Sequence, residues 1–188
     1  MLLAVTLLSG CATHYVDTAT TDVPVSAYKK IEQPKPVQLV FEFQTKGVAN
    51  ARATEFLKGQ VVEQVKASGL FSSVEDKPVP GNAMLGVTLN NVPLTDNVFG
   101  KGFVTGLTFG LAGKQVTDGY ICTVDYSSDT QKPAVNKTAR HAIHTVLGAK
   151  GAPENAQPAK NIEEAVKTMT RQIVATAIRD VSLDPAFR

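Results

Sequence analysis

Two long runs of strand composition, separated by a turn, restrict this chain to folds with an antiparallel sheet. The first, QVTDGYICTVDYSS (115–128), carries apolar side chains at Ile121, Val124 and Tyr126. The segment SSDTQKPA is typical of a hairpin turn, and VNKTARHAIHTVL (135–147) returns as the second strand. A sheet of this kind needs a second layer to cover its apolar face. Two helical segments elsewhere in the chain can supply that layer.

The first helical segment is ANARATEFLKGQVVEQVKASG. Leu57, Val61 and Val65 recur at helical spacing and form an apolar stripe. Gly69 stands where a glycine commonly ends a helix in the left-handed conformation. The spacing therefore predicts a helix that ends just before Gly69.

The second helical segment follows Asn161. Asn161 can cap the helix, and Glu164 three residues later supplies the reciprocal half of a capping box. The pair Asp184-Pro185 ends the segment. Its apolar stripe consists of Ile162, Ala165, Val166, Met169, Ile173, Ala177 and Ile178.

Further strand-like runs precede the hairpin: VQLVFEFQT (37–45), LFSSVED and AMLGVTLNNV, whereas GAKGAPENAQPAK reads as a loop. We predict an α+β fold for a single domain over 37–188. Its mostly antiparallel sheet has about five strands, with two helices packed on one face, in the order β-α-β-β-β-β-α. An apolar, glycine-rich insertion separates the third and fourth strands.

Composition excludes one class of function. The chain has 188 residues, of which 43% are hydrophobic and 19% charged, as expected of a globular domain. Its net charge is +2, and its basic residues do not cluster beyond Lys29-Lys30. A nucleic-acid-binding surface needs a basic patch. We therefore expect no nucleic-acid partner.

The chain opens with MLLAVTLLSGC, an uncharged apolar run followed by small residues and a cysteine. Leu8-Ser9-Gly10-Cys11 resembles the lipobox of bacterial lipoproteins. The resemblance predicts a signal peptide over 1–10, cut before Cys11. Signal peptides usually carry a basic N-terminal region, and none precedes Cys11 here, so we expect the true start to lie upstream.

The same resemblance implies how the protein is held in the cell. In that family the cysteine sulfur is diacylated and the new α-amine is usually acylated, and two or three acyl chains anchor a protein stably. An aspartate after the cysteine retains such proteins in the inner membrane. Ala12 and Thr13 stand there instead, which implies the outer membrane, facing the periplasm. We expect 11–36, rich in Thr, Val and Pro, to be the lipidated cysteine and a flexible tether.

A glycine-rich apolar segment, GKGFVTGLTFGLAGKQ, begins at Gly100. Gly102, Gly106 and Gly110 are four residues apart and would form a flat stripe on a helix, while a strand would also present one bulky and one small face. The segment is too short to span a bilayer as a helix. Its bulky side chains are Phe103, Leu107, Phe109 and Leu111. We expect it to contact membrane, a partner protein or another copy; the alternative is a core strand or a loop packed on the domain.

The remaining candidates for chemistry favour structural roles. His141 and His144 are three residues apart on a predicted strand and would point to opposite faces, so we predict no metal site. Cys122 lies in an apolar strand and is expected to be buried. The aspartates Asp96, Asp118, Asp125 and Asp129 fit turns and strand ends. Known enzyme motifs are absent, and we predict neither catalytic residues nor a cofactor.

These observations favour a non-enzymatic outer-membrane lipoprotein that binds or scaffolds in the cell envelope. Cys11 would be its lipid anchor, and the segment 102–113 its apolar contact. One alternative is a periplasmic carrier of an apolar small molecule, with that segment as a lid over a cavity between helix and sheet. A second alternative is an enzyme with an unfamiliar site.

Overall fold

The computed structural model describes residues 12–93, 115–128, 135–148 and 151–187. Within them, two helices cover one face of an eight-stranded sheet. The strands are β1 (Ala12–Asp17), β2 (Val37–Thr45), β3 (Val48–Ala49), β4 (Val74–Glu75), β5 (Met84–Pro93), β6 (Gln115–Ser127), β7 (Val135–Leu147) and β8 (Ala156–Ala159). The helices are α1 (Ala51–Ser68) and α2 (Ile162–Leu183), and a 3₁₀ turn covers Val25–Ala27.

The strand order is β3-β2-β5-β6-β7-β1-β8, and β4 pairs with β2 on the same edge as β3. The α+β class and the two helices are confirmed. The sheet is mostly antiparallel, as predicted, but the predicted count of about five strands and their order differ from the described sheet. The described sheet has eight strands and is mixed, because β2 runs parallel to both β4 and β5.

The parallel pairing of β2 and β5 follows from the helix between them. An 18-residue helix is about 27 Å long, so α1 carries the chain back along the sheet. The next long strand therefore runs in the same direction as β2, which makes β2-α1-β5 a crossover unit. LFSSVED was predicted to be a strand, but only Val74–Glu75 of that run is one, and it pairs with β2.

The predicted hairpin of β6 and β7 is confirmed. Its register runs from Gln115 opposite Val146 to Tyr126 opposite Val135. β5 pairs with the other edge of β6 over ten residues, from Met84 opposite Ser127 to Pro93 opposite Asp118. These three long antiparallel strands form the centre of the sheet, and the glycine-rich insertion connects β5 to β6.

Local capping signals explain where the two helices begin. Asn50 accepts a hydrogen bond from the Ala53 N–H at 3.0 Å, and Gly69 ends α1 with φ of 66°. Asn161 caps α2 by accepting from the Glu164 N–H at 2.9 Å. Glu164 reaches back as predicted, but it accepts from the N–H of Lys160 rather than of Asn161.

The helices lie side by side on the sheet. Gln60 of α1 donates to the Lys167 carbonyl at 2.8 Å, and Gln64 donates to the Arg171 carbonyl at 2.6 Å. Side chains from both layers fill the space beneath them. The largest of these fully buried apolar side chains include Leu57, Leu85, Leu89, Ile143, Met169, Ile173 and Ile178. In the part of the chain that the structure describes, neither helix is long and apolar enough to cross a membrane.

The structure differs from the prediction of a flexible tether over 11–36. Ala12–Asp17 is the strand β1, which lies between β7 and β8 and pairs antiparallel with both. Val16 and Tyr28 belong to the hydrophobic core. The predicted loop 148–160 contains β8, which completes the pairing of β1. These segments are ordered because distant strands satisfy their backbone groups.

Val16→Ala tests whether β1 is part of the core. The substitution should lower the free energy of unfolding by roughly 2 kcal/mol, since it removes two buried methyl groups. Urea denaturation of the full chain carrying Cys11→Ser measures the change. Val116→Ala, in an exposed position of β6, should change stability by less than about 0.5 kcal/mol. Equal stability of Val16→Ala and the parent would contradict the placement of β1.

Candidate functional site

Several strands begin or end at the same end of the sheet as the start of β1. We call this end of the sheet the proximal end. Ala12 pairs with Leu147 on one side of β7, and Gln115 pairs with Val146 on the other side. β5 ends at Pro93, opposite the fourth residue of β6. Neighbouring strands are about 4.8 Å apart, so Ala12 and Gln115 lie roughly 10 Å from each other.

The site residues predicted from the sequence lie outside the described residues. These are Cys11 and the members of the glycine-rich segment: Gly102, Phe103, Gly106, Leu107, Phe109, Gly110 and Leu111. Their attachment points are described. Cys11 is bonded to Ala12, and the segment 94–114 connects Pro93 to Gln115. The fold therefore brings the attachment points of both predicted sites to the proximal end.

Exposed apolar side chains surround these attachment points. Val116 is 54% exposed and Leu147 is 46% exposed. Ile162 is also 46% exposed. It is the first residue of α2, which follows β8, and β8 ends towards the proximal end. Met84 and Leu183 at the opposite end are exposed to a similar degree. The position of Cys11, rather than exposure alone, therefore distinguishes the proximal end.

His141 and His144 are both fully buried and form hydrogen bonds on different faces of β7. His141 Nδ1 accepts from the Ala142 N–H at 2.9 Å, so its proton is on Nε2, which lies 2.7 Å from Gln172 Oε1 of α2. Burial lowers the pKa of the His141 imidazole and favours this neutral form. Among the described residues no three His, Cys, Asp or Glu side chains form a group suited to a metal ion.

His144 connects three strands of the sheet. Its Nε2 lies 3.2 Å from Asp17 Oδ2 in β1, and its Nδ1 lies 2.9 Å from Thr117 Oγ1 in β6. Asp17 and His144 are both at most 1% exposed. A ring with its proton on Nε2 donates to Asp17 and accepts from Thr117. This cluster was not predicted, since Asp17 lay in the predicted tether and carried no local signal in the sequence.

The other candidate side chains do not converge on a cleft. Cys122 is fully buried as expected, and burial raises the pKa of its thiol to about 12. Asp118 lies near the proximal end, where burial raises the pKa of its carboxyl. Asp125 lies towards the end of the hairpin opposite the proximal end, and its Oδ1 accepts a hydrogen bond from Asn136 Nδ2 at 2.6 Å. Asp96 and Asp129 lie outside the described residues.

The carrier alternative requires a cavity between helix and sheet. In the described part of the chain, that layer is filled by side chains of the hydrophobic core. The largest groove among the cavities described, of about 570 Å³, opens instead beside β2 at the outer side of α1. The described residues therefore do not favour an enclosed small-molecule site.

No protein-family model matches the chain, and no curated protein matches its sequence. Among solved structures, it is similar to the rare lipoprotein B from Shewanella oneidensis. The identity is 13% over 77% of this chain and 93% of that chain, with a TM-score of 0.41.

Two further likenesses are weaker. The minor lipoprotein from Acinetobacter baumannii has 14% identity over 80% of this chain and 89% of that chain, with a TM-score of 0.36. The PelC dodecamer from Paraburkholderia phytofirmans has 10% identity over 90% of this chain and 96% of that chain, with a TM-score of 0.35. These scores are too low to carry an argument about function.

His141 makes stability depend on pH. A folded-state pKa below the unfolded value of about 6.5 means that only the unfolded state gains a proton as pH falls below that value. The stability that neutral His141 contributes is present above about pH 6.5 and is lost below it. Urea midpoints at about pH 7.5 and pH 5 should therefore differ less for His141→Gln than for the parent chain. His14→Gln, at a partly exposed position, is the control, and an equal difference in parent and His141→Gln would contradict the assignment.

Proposed function

We propose that this chain is a non-enzymatic lipoprotein of the outer membrane, anchored through Cys11 and facing the periplasm. Its domain acts as a binding or scaffolding accessory in the cell envelope and rests on the bilayer by its proximal end. The observation that supports this arrangement most directly is that β1 begins at Ala12, the residue after Cys11.

An anchor at Cys11 acts directly on the sheet. Consecutive Cα atoms are about 3.8 Å apart, so an acylated Cys11 holds Ala12 within a few ångströms of the lipid headgroups. β1 is hydrogen-bonded on both edges and cannot extend as a linker without breaking the sheet. The anchored domain therefore keeps one end towards the bilayer instead of moving freely above it.

The glycine-rich segment is proposed as the second contact. Its connections at Pro93 and Gln115 lie at the same end of the sheet as the anchor. We infer that its apolar residues 102–113 reach the membrane surface, a partner held at that surface, or a second copy. Several weakly bound apolar side chains add to an acyl anchor, because burial of each CH₂ contributes about 0.8 kcal/mol.

A role without catalysis agrees with the described polar side chains. The two buried histidines bond to Gln172 and Asp17, and Cys122 lies in the core. The two histidines connect structural elements, and all three side chains are buried away from a substrate. The binding surface of such a protein then has to lie on its exterior.

Cys11→Ser tests the anchor. In cells that export the protein, radiolabelled palmitate should enter the parent protein but not Cys11→Ser, which should be lost from the outer-membrane fraction. Cys122→Ala is the matched control, since it removes the other cysteine of the chain and should keep the label. Label in Cys11→Ser, or an unlabelled and soluble parent, would exclude the proposed anchor.

A tryptophan scan tests the orientation, because the chain contains no native Trp. In the lipidated protein, Leu147→Trp and Val116→Trp at the proximal end should show blue-shifted emission in vesicles and quenching by brominated phospholipids. The tryptophans enter the interface between headgroups and acyl chains, where brominated lipids can reach them. Steady-state fluorescence of reconstituted protein measures both effects.

Leu183→Trp and Met84→Trp serve as controls at the opposite end of the domain, with comparable exposure in the free protein. Their emission should not change when vesicles are brominated. Similar quenching at both ends would mean that the domain has no preferred orientation, and quenching confined to the opposite end would reverse the proposed one.

A further inference from the structure

The outer edge of β2 is incompletely paired. β5 occupies one edge of β2 along most of its length. On the other edge, β4 pairs only with Val37 and Gln38, and β3 pairs only with Gln44 and Thr45. Among the described residues, no strand pairs with 39–43 on this side. The sheet therefore has a gap between two short edge strands.

The backbone of β2 shows which groups face the gap. The Val37 N–H donates to the Ser73 carbonyl at 3.0 Å, on the side of β4, whereas the Gln38 N–H donates to the Ala83 carbonyl on the opposite side. Since residues alternate along a strand, Leu39, Phe41 and Phe43 direct their N–H and C=O groups to the outer edge.

The groups of Phe43 already have partners at this edge. Its N–H donates to Thr54 Oγ1 at 2.8 Å, and its carbonyl accepts from the Asn50 N–H at 2.8 Å. The N–H and C=O of Phe41 face the gap, where no described strand pairs with them. The gap, residues 39–42, is roughly 13 Å long, which matches about four residues of an extended chain.

A groove runs along this gap. Leu39, Phe41 and Val62 form its apolar part between β2 and α1, and Val40 on the outer face of the strand is 47% exposed. Its charged side chains are mostly acidic: among the described residues of the lining, Lys58 is the one base, against Glu42, Glu55, Glu75 and Asp76. We call the acidic side chains along the groove its rim. An apolar groove with an acidic rim suits an extended segment with alternating apolar and basic side chains.

The gap and the residue after it, LVFEF (39–43), lack lysine, proline and a bulge, and Glu42 is their one charged residue. Natural edge strands carry lysine, proline or a bulge to prevent pairing with other chains. Residues 39–43 contain none of these and have high strand propensity. An edge that no described strand covers is a place where the strand of another chain can pair.

We propose that this edge binds an extended, basic segment of a partner protein by strand addition, between β3 and β4. A second copy of the chain is the poorer occupant. If the β2 of a second copy paired with this edge, the β3 and β4 of that copy would come along in the same plane, beside those of the first copy. The acidic rims of the two copies would also repel each other. The proposal does not depend on the lipid anchor.

The probe is a capped peptide, Lys-Val-Lys-Val-Lys-Val-Lys, titrated into the ¹⁵N-labelled full chain carrying Cys11→Ser. Binding should shift the amide signal of Phe41 and slow its hydrogen exchange, because strand addition gives that amide a partner. Binding should weaken with added salt. The peptide Glu-Val-Glu-Val-Glu-Val-Glu should bind at least about tenfold more weakly, since its charges repel the rim.

Matched variants separate strand addition from simple charge attraction. N-methylation of alternate peptide amides, made in both registers, should abolish binding in one register and spare it in the other. Glu42→Lys with Asp76→Lys should weaken binding about tenfold, whereas Glu163→Lys on α2 should leave it unchanged.

Equal binding of the basic and acidic peptides, or insensitivity to N-methylation in both registers, would overturn the proposal. Concentration-dependent protection of the Phe41 amide without peptide would assign the edge to a second copy. The N-methylated peptides keep the test decisive even if the double variant folds poorly. Failure of this test leaves the anchor at Cys11 untouched, and loss of the anchor leaves this test valid.

Discussion

β1 lies between β7 and β8, and both of its edges are bonded to strands that follow it by more than a hundred residues. His14 and Thr145, bonded at 3.1 Å, are 131 residues apart. The buried contact of Asp17 with His144 holds the same pairing at the other end of β1. β8 has β1 as its described partner, and α2 begins two residues after β8 ends.

Because β1 is paired on both edges, a lipid anchor at Cys11 would affect the orientation of the domain. A cysteine at the end of a long linker would only limit how far the domain can diffuse. A cysteine bonded to a strand that is paired on both edges also limits how the domain is oriented. Because β2 lies on the opposite side of the sheet from β1, an anchored domain would present the incomplete edge of β2 away from the anchored strand, where a periplasmic chain can reach it.

Local signals allowed much of the fold to be predicted. Asn50 and Gly69 bound α1, Asn161 begins α2, and β6 and β7 pair as the predicted hairpin, because each signal acts within a few residues of the chain. β1 and β8 are short and lack clear alternation, so their pairing partners alone make them strands. β4 was predicted too long, since only two of its residues find a partner in β2.

The sequence by itself determined the class of the fold, both helices, the central hairpin and the lipobox-like motif at Cys11, since each depends on neighbouring residues. Only the tertiary structure decided that β5 runs parallel to β2 and that the residues after Cys11 form a strand. It also brought the ends of the glycine-rich segment to the same end of the sheet as the start of that strand, and left a gap beside β2 among the described strands. These features depend on contacts between residues far apart in the chain, and such contacts leave no periodic or local pattern in the sequence.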